Sequence, residues 1–210
     1  MNHAHPASFS SFFDAHNKRI VPVITLSNPA NALVLADTLS ECGFTVLELT
    51  LRTPGALEAI KLLRQHRPQL YVGAGTVKTP HQLQACLDAQ AQFIVSPGIN
   101  VDIIAKCQAH QVPIIPGVMT PSDIMQAENC GLNVVKLFPA EHAGGTDFIK
   151  AISPVFPNMR FFPTGGISED NVNRYLHMEQ VLCVGGSWLT PVSLQDAEDW
   201  THIHTIAQRC

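Results

Sequence analysis

The chain has 210 residues, 46% of them hydrophobic and 14% charged, with a formal net charge of −4 when histidines are neutral. That length and apolar content suffice for a sizeable core in one domain, and the acidic balance without a long basic run leaves no electrostatic footprint for nucleic acid. No apolar stretch approaches the ~20 residues of a membrane helix. The opening MNHAHPASFSSFFDAHNKR also lacks the basic start and unbroken apolar segment of a secretory signal, so a cytoplasmic protein is expected.

In chain order, a short helical segment is expected over 1–18, followed by eight β-rich runs. These are IVPVITL (20–26), TVLELTL (45–51), YVGAGTV (71–77), FIVSPGI (93–99), PIIPGVM (113–119), VVKLFPA (134–140), RFFPTGG (160–166) and QVLCVGGSW (180–188). Each has the length and apolar density of a buried parallel strand, and the segments between them have helical periodicity. In PGALEAIKLLRQH (54–66), for example, Leu57, Ile60 and Leu62 or Leu63 make one apolar face. Asn28-Pro29 and the Thr-Pro pairs at 53–54, 79–80, 120–121 and 190–191 each follow a strand. Thr or Asn caps a helix, and proline suits its first position. A last helix is expected over 190–210. Eight alternations without room for long insertions predict a single-domain α/β chain folded as a (β/α)8 TIM barrel, with 20–188 forming its strands and helices. The alternative, an open doubly wound sheet, is weakened because no G-x-G-x-x-G follows the first strand.

A barrel places its chemistry at the C-terminal ends of the strands. Polar residues fall there. In VLELTLR, Glu48, Thr50 and Arg52 share one face and Leu47, Leu49 and Leu51 the other; Thr76 follows two glycines in GAGT. Lys136 lies within a strand core, whereas Lys18, Lys61, Lys78, Lys106 and Lys150 fall in helical or flanking segments. A free lysine, with a pKa of ~10.4, is neutral in only roughly one molecule in 2,500 at pH 7, and burial favours the neutral amine. Desolvated lysines form Schiff bases with carbonyl substrates. A nearby Glu48 would oppose that effect unless Arg52 or water offset it. The plain alternative is a structural Glu48–Lys136 ion pair.

Two glycine pairs, in PTGGIS (163–168) and CVGGSW (183–188), end successive strands, where backbone amides can cradle phosphate and Ser187 adds a hydroxyl. Two tight turns would be the plain alternative here. The six cysteines form no C-x-x-C and read as reduced thiols, Cys183 as a core residue. The ten histidines form neither H-x-x-x-H nor H-E-x-x-H, so no metal is expected.

The ordered set ELTLR (48–52), GAGT (73–76), SPG (96–98), KLFPA (136–140), PTGGI (163–167) and GGSW (185–188) resembles the family of 2-keto-3-deoxy-6-phosphogluconate (KDPG) and 4-hydroxy-2-oxoglutarate (KHG) aldolases, from about Arg19 nearly to the C-terminus. The resemblance implies a class I aldolase that needs neither metal nor cofactor, usually a homotrimer, acting on a small phosphorylated keto sugar acid. Carried onto this chain, Lys136 forms the Schiff base and Glu48 is the general acid/base. Arg52 and Thr76 bind the carboxylate of the pyruvate half, Thr164 lies close to the substrate chain, and Pro97 and Phe138 wall the pocket. Gly165, Gly166, Gly186 and Ser187 hold the phosphate, with Arg19 as a further contact. The alternatives are the aldolase for the C4-epimeric galactonate acid, a phosphate-binding barrel epimerase or isomerase, and a non-catalytic sugar-phosphate binder.

Overall fold

The computed structural model describes residues 9, 10, 13 and 18–210. The helical segment expected at 1–18 therefore falls mostly outside the described residues. Strands and helices alternate as β1 (Ile20–Ile24), α1 (Ala32–Glu41), β2 (Val46–Thr50), α2 (Ala56–His66), β3 (Tyr71–Gly75), α3 (Pro80–Asp88), β4 (Ile94–Val95), α4 (Val101–Ala109), β5 (Ile114–Ile115) and β6 (Gly117–Val118). They continue as α5 (Pro121–Asn129), β7 (Val134–Leu137), α6 (Gly145–Ile152), β8 (Arg160–Phe161), α7 (Val172–Leu176), β9 (Val184–Gly186), α8 (Val192–Asp196) and α9 (Trp200–Gln208).

The strand pairings are parallel. One curled sheet runs β5-β4-β3-β2-β1-β9, and a second runs β6-β7-β8. The single strand expected over 113–119 is two short pieces, β5 and β6, parted by Pro116. Proline has no N–H for the ladder, which interrupts the pairing there. At the other side of the smaller sheet, isolated parallel bridges join Phe161 to Val181 and Thr164 to Gly185.

Side-chain alternation divides the core in two. Leu47 and Leu49 on β2 join the larger apolar cluster with helix residues such as Leu35, Ile60 and Leu63. Val46, one residue earlier, belongs to a second cluster with Val21, Phe93, Val95, Ile115, Val134, Phe162 and Cys183, to which Phe9 and Phe13 add their rings. Period-two geometry puts Glu48 and Thr50 on the face of Val46. That face is thus apolar where β2 starts and polar where it ends, and both polar residues are buried.

Local signals set several helix starts. Thr79 accepts from the Gln82 amide at 3.2 Å, Asn28 caps a short 3-10 turn, and Thr120 forms a reciprocal capping box with Asp123. The pairs at 53–54 and 190–191 depart from expectation: α2 and α8 begin after them without a side-chain cap, and the hydroxyls of Thr53 and Thr190 are buried without a partner among the described residues. Before α2 the chain first turns at Gly55, where a Cβ would stand 2.7 Å from Pro29. The single helix expected over 190–210 is α8 and α9. Glu198 adopts φ +52, and Asp199 then caps α9 by accepting from the His202 amide at 3.0 Å.

All six cysteines are free, with Cys86, Cys107 and Cys183 buried. Burial pushes the thiols of Cys86 and Cys107 up to about 12 and raises that of Cys183 well above its ordinary value. Because the thiolate is the attacking form, these three should stay inert to a thiol reagent at pH 8. A count of thiols reacting before and after denaturation checks this. We expect no more than three before and six after; prompt reaction of four in the native protein would contradict it.

Candidate active site

On β7, Val135 and Leu137 turn towards the outer core, which leaves Lys136 on the inner face, 5% exposed. Its Nζ lies 3.3 Å from Oε1 of fully buried Glu48, and Oε2 of Glu48 has no partner among the described residues. Glycines make the space. A Cβ on Gly75 would collide with Oε1 of Glu48, and one on Gly117 would collide with the Pro97 carbonyl. Gly117 is the register partner of Lys136, so Pro97 borders the lysine. The rings of Phe138 and Phe162 lie 5.3 and 5.9 Å from Nζ and keep its surroundings apolar. Phe162 was not among the expected residues, although alternation from Thr164 on the same run was a usable signal.

The carboxylate-binding candidates lie beyond the ends of β2 and β3. Arg52 is exposed and makes no ion pair or hydrogen bond among the described residues, so of the two ways to offset Glu48, Arg52 or water, the direct pairing with Arg52 is not made, and its guanidinium is free to meet an anion. Thr76 adopts φ +62. For a β-branched residue such a backbone costs about 1–3 kcal/mol and concentrates at functional sites. Thr50 donates to the Ile24 carbonyl at 3.1 Å and lies 2.9 Å from the Thr25 hydroxyl, forming a polar pair just above Glu48 on β2.

At the ends of β8 and β9, Thr164 is buried with its hydroxyl unpartnered among the described residues, and its register neighbour Gly185 gives it room. Gly165 and Gly166 adopt φ +98 and +80, and among the described residues the amides of Gly165, Gly166 and Ile167 donate to no protein acceptor. Gly186 packs under the Trp188 ring, where a Cβ would come within 2.8 Å, and Ser187 beside it is exposed.

Arg19 does not join this group. It precedes β1, at the opposite end of the strands. Its guanidinium donates to the carbonyls of Leu182 at 2.9 Å, Leu176 at 3.1 Å and Val181. Those backbone acceptors need a donor in a part-buried turn, and satisfying them consumes the fork that was expected to bind phosphate.

Among the described residues no group of three or more His, Cys, Asp and Glu could hold a metal ion, and no helix is long and apolar enough to cross a membrane. A cavity of about 410 Å³ opens at the N-terminal ends of β5 and β7, lined by Gln108, Pro113, Leu132 and Asn133 among others. None of its described lining residues is charged, whereas the buried lysine and carboxylate lie towards the other end of the strands.

Imine formation requires a lysine held out of water beside a group that can move its protons, and parallel α/β enzymes present such pairs at strand ends. By fold and site this is a parallel α/β protein with a buried lysine–carboxylate pair on its inner face, an arrangement suited to carbonyl chemistry. The family model for KDPG and KHG aldolase matches residues 14–206, and the chain belongs to that family. It is 43% identical over 190 residues to the 2-dehydro-3-deoxy-phosphogluconate aldolase of Pseudomonas aeruginosa, covering 90% of this chain and 86% of that one. Against the KHG/KDPG aldolase of Escherichia coli K12 the identity is 41% over 189 residues, covering 90% and 89%. A solved KDPG aldolase from Legionella pneumophila, with pyruvate captured at low pH as a covalent carbinolamine intermediate, superposes with a TM-score of 0.90 at 41% identity, covering 95% and 96%.

Proposed function

We propose that the chain is a class I aldolase that cleaves 2-dehydro-3-deoxy-6-phosphogluconate to pyruvate and D-glyceraldehyde 3-phosphate, and also 4-hydroxy-2-oxoglutarate to pyruvate and glyoxylate. The observation that carries this reading is the buried 3.3 Å contact between Lys136 and Glu48. The names of the relatives at 41–43% identity favour the gluconate acid over its C4 epimer.

The pair holds the proton that the mechanism must move. Transfer from the Lys136 ammonium to Glu48 across their contact gives a neutral amine and a neutral acid, two forms that a dry site tolerates. The amine attacks the C2 ketone to give a carbinolamine. Loss of its hydroxyl as water, with Glu48 returning the proton, leaves an iminium and a carboxylate. Glu48 then removes the proton of the C4 hydroxyl, directly or through a water on the unpartnered Oε2. The C3–C4 bond breaks, its electron pair enters the iminium to form an enamine, and the aldehyde departs. Protonation at C3 and hydrolysis release pyruvate and restore the lysine. The covalent intermediate avoids a free carbanion.

In this reading Arg52 and Thr76 receive the pyruvate carboxylate, Pro97 and Phe138 wall the imine, and Thr164 faces the substrate chain. Gly165, Gly166, Gly186 and Ser187 receive the phosphate. A closed (β/α)8 barrel in one domain belongs to the same proposal. Its support is the Pro116 junction between β5 and β6 and the bridges linking β8 to the run before β9 and to β9 itself. Homotrimeric assembly, readable from the solution mass, is carried by the resemblance, and a cytoplasmic location fits relatives named as aldolases of sugar-acid metabolism.

Stoichiometric release of pyruvate and glyceraldehyde 3-phosphate from the phosphorylated acid tests the activity; binding without release would leave a sugar-phosphate binder. The phosphate assignment has its own test. Ser187→Ala removes one hydrogen bond to a charged group, so kcat/KM for the phosphorylated acid should fall about 10-fold. The phosphate-free substrate should be nearly unaffected. Equal losses on both would remove Ser187 from the phosphate site.

A further inference from the structure

The glycine pair after β8 is held from behind by groups that the catalytic steps do not use. Glu141 lies in the loop after β7. Its amide donates to the Gly165 carbonyl at 3.1 Å, and the amide of Ala140 donates to the Thr164 carbonyl at 2.8 Å. Gly166 lies so close over it that a Cβ there would come within 2.7 Å of the Glu141 side chain. The carboxylate is gripped from α7, the helix that follows the glycine loop: the Tyr175 hydroxyl donates to Oε1 and the Arg174 guanidinium to Oε2. Tyr175 is fully buried, and burial together with the adjacent carboxylate raises its hydroxyl well above the ordinary tyrosine value, so it stays a donor.

Asn171 completes the frame. Its Nδ2 donates to the Gly166 carbonyl at 2.9 Å, and its Oδ1 accepts from the Ser168 amide at 2.9 Å. Both glycine carbonyls are thereby engaged, by Glu141 and Asn171, while the amides of Gly165, Gly166 and Ile167 have no acceptor among the described residues. Two adjacent glycines have wide conformational freedom, and an unbraced loop would have to be ordered anew at each binding event. Arg174 also offsets the Glu141 charge, which would otherwise repel an anion nearby.

We propose that Glu141, clamped by Tyr175 and Arg174, is a positioning residue that holds Gly165 and Gly166 in the form whose amides receive phosphate, and so sets the preference for the phosphorylated substrate. This rests on the phosphate role given above to Gly165, Gly166 and Ser187. Glu141 does not touch the substrate and takes no part in bond making.

The test is steady-state kinetics of Tyr175→Phe, which removes only a hydroxyl from a buried ring, and of Glu141→Gln. Each is assayed on the phosphorylated acid and on 4-hydroxy-2-oxoglutarate, with thermal unfolding confirming a folded protein. KM for the phosphorylated acid should rise about 10-fold with kcat within about 2-fold, the signature of lost binding rather than lost chemistry. Competitive inhibition by inorganic phosphate should weaken in parallel, and both constants for the phosphate-free substrate should hold within about 2-fold. Equal losses on both substrates would overturn the brace. So would no loss on either, provided that Ser187→Ala loses the phosphate preference; the phosphate site would then stand without it. If the unsubstituted enzyme and Ser187→Ala show no preference for the phosphorylated acid, the phosphate site fails and the brace fails with it.

Discussion

Lys136→Arg should abolish pyruvate release and, with it, the covalent capture of pyruvate. Arginine keeps the positive charge beside Glu48 at 3.3 Å and so preserves the buried pairing. Its guanidinium stays protonated in proteins and supplies no lone pair for attack on a ketone. Loss of a nucleophile that cannot be replaced should cost at least about 10⁴-fold in kcat. The measurement is borohydride reduction in the presence of pyruvate, followed by peptide mass mapping. A reduced adduct should form on Lys136 and be absent from the variant, with Lys78 and Lys106 as internal controls. No adduct, or an adduct elsewhere with activity intact, would sink the imine mechanism.

That outcome would leave Lys136 and Glu48 as a structural ion pair, in which the buried Oε2 of Glu48 would need a partner of its own. Buried pairs contribute net stability only when their remaining hydrogen-bonding sites are satisfied. Here Oε2 of Glu48 has no partner among the described residues, and Gly75 leaves space in which a carboxylate oxygen fits.

Glu48→Gln should separate the two halves of the chemistry. The amide matches the carboxylate in size, fits the same space beside Gly75 and can still accept from Lys136, but it cannot take a proton. Proton transfer by a positioned carboxylate typically contributes 10²–10⁴-fold, so cleavage should slow by about that factor. The trapped pyruvate adduct on Lys136 should still accumulate, though more slowly, because the lysine remains to attack the ketone and water can replace Glu48 in the proton transfers of imine formation. Rapid-quench measurement of cleavage alongside reductive trapping reads both. A variant that cleaves at the unsubstituted rate would show that another group takes the C4 hydroxyl proton.

Much of the molecule is legible in the sequence because it is written in local patterns. The strand-and-helix order follows from apolar periodicity, and the caps at Thr79 and Thr120 follow from Thr-Pro chemistry. Lys136 draws notice because an ammonium in an apolar strand has no local explanation. The places where these signals fail are where local rules compete. Pro116 removes a ladder donor inside an otherwise good strand, and Glu198 with Asp199 breaks a helical stretch into two.

What only the tertiary structure decides is which side chains meet. Lys136 and Glu48 are 88 residues apart and come together because strands on opposite parts of a curled fold turn the same face inward. Arg19 was expected at the phosphate, but backbone carbonyls at the other end of the strands take its donors. Glu141, Tyr175 and Arg174 gave no motif to read, because a brace of this kind exists only when a loop and the next helix pack together. Periodicity and capping depend on neighbours within a turn or two, so the sequence alone determined the elements and their polar ends. Ion pairs and anion cradles depend on strand order and curl, so their partners were settled only by the packed fold.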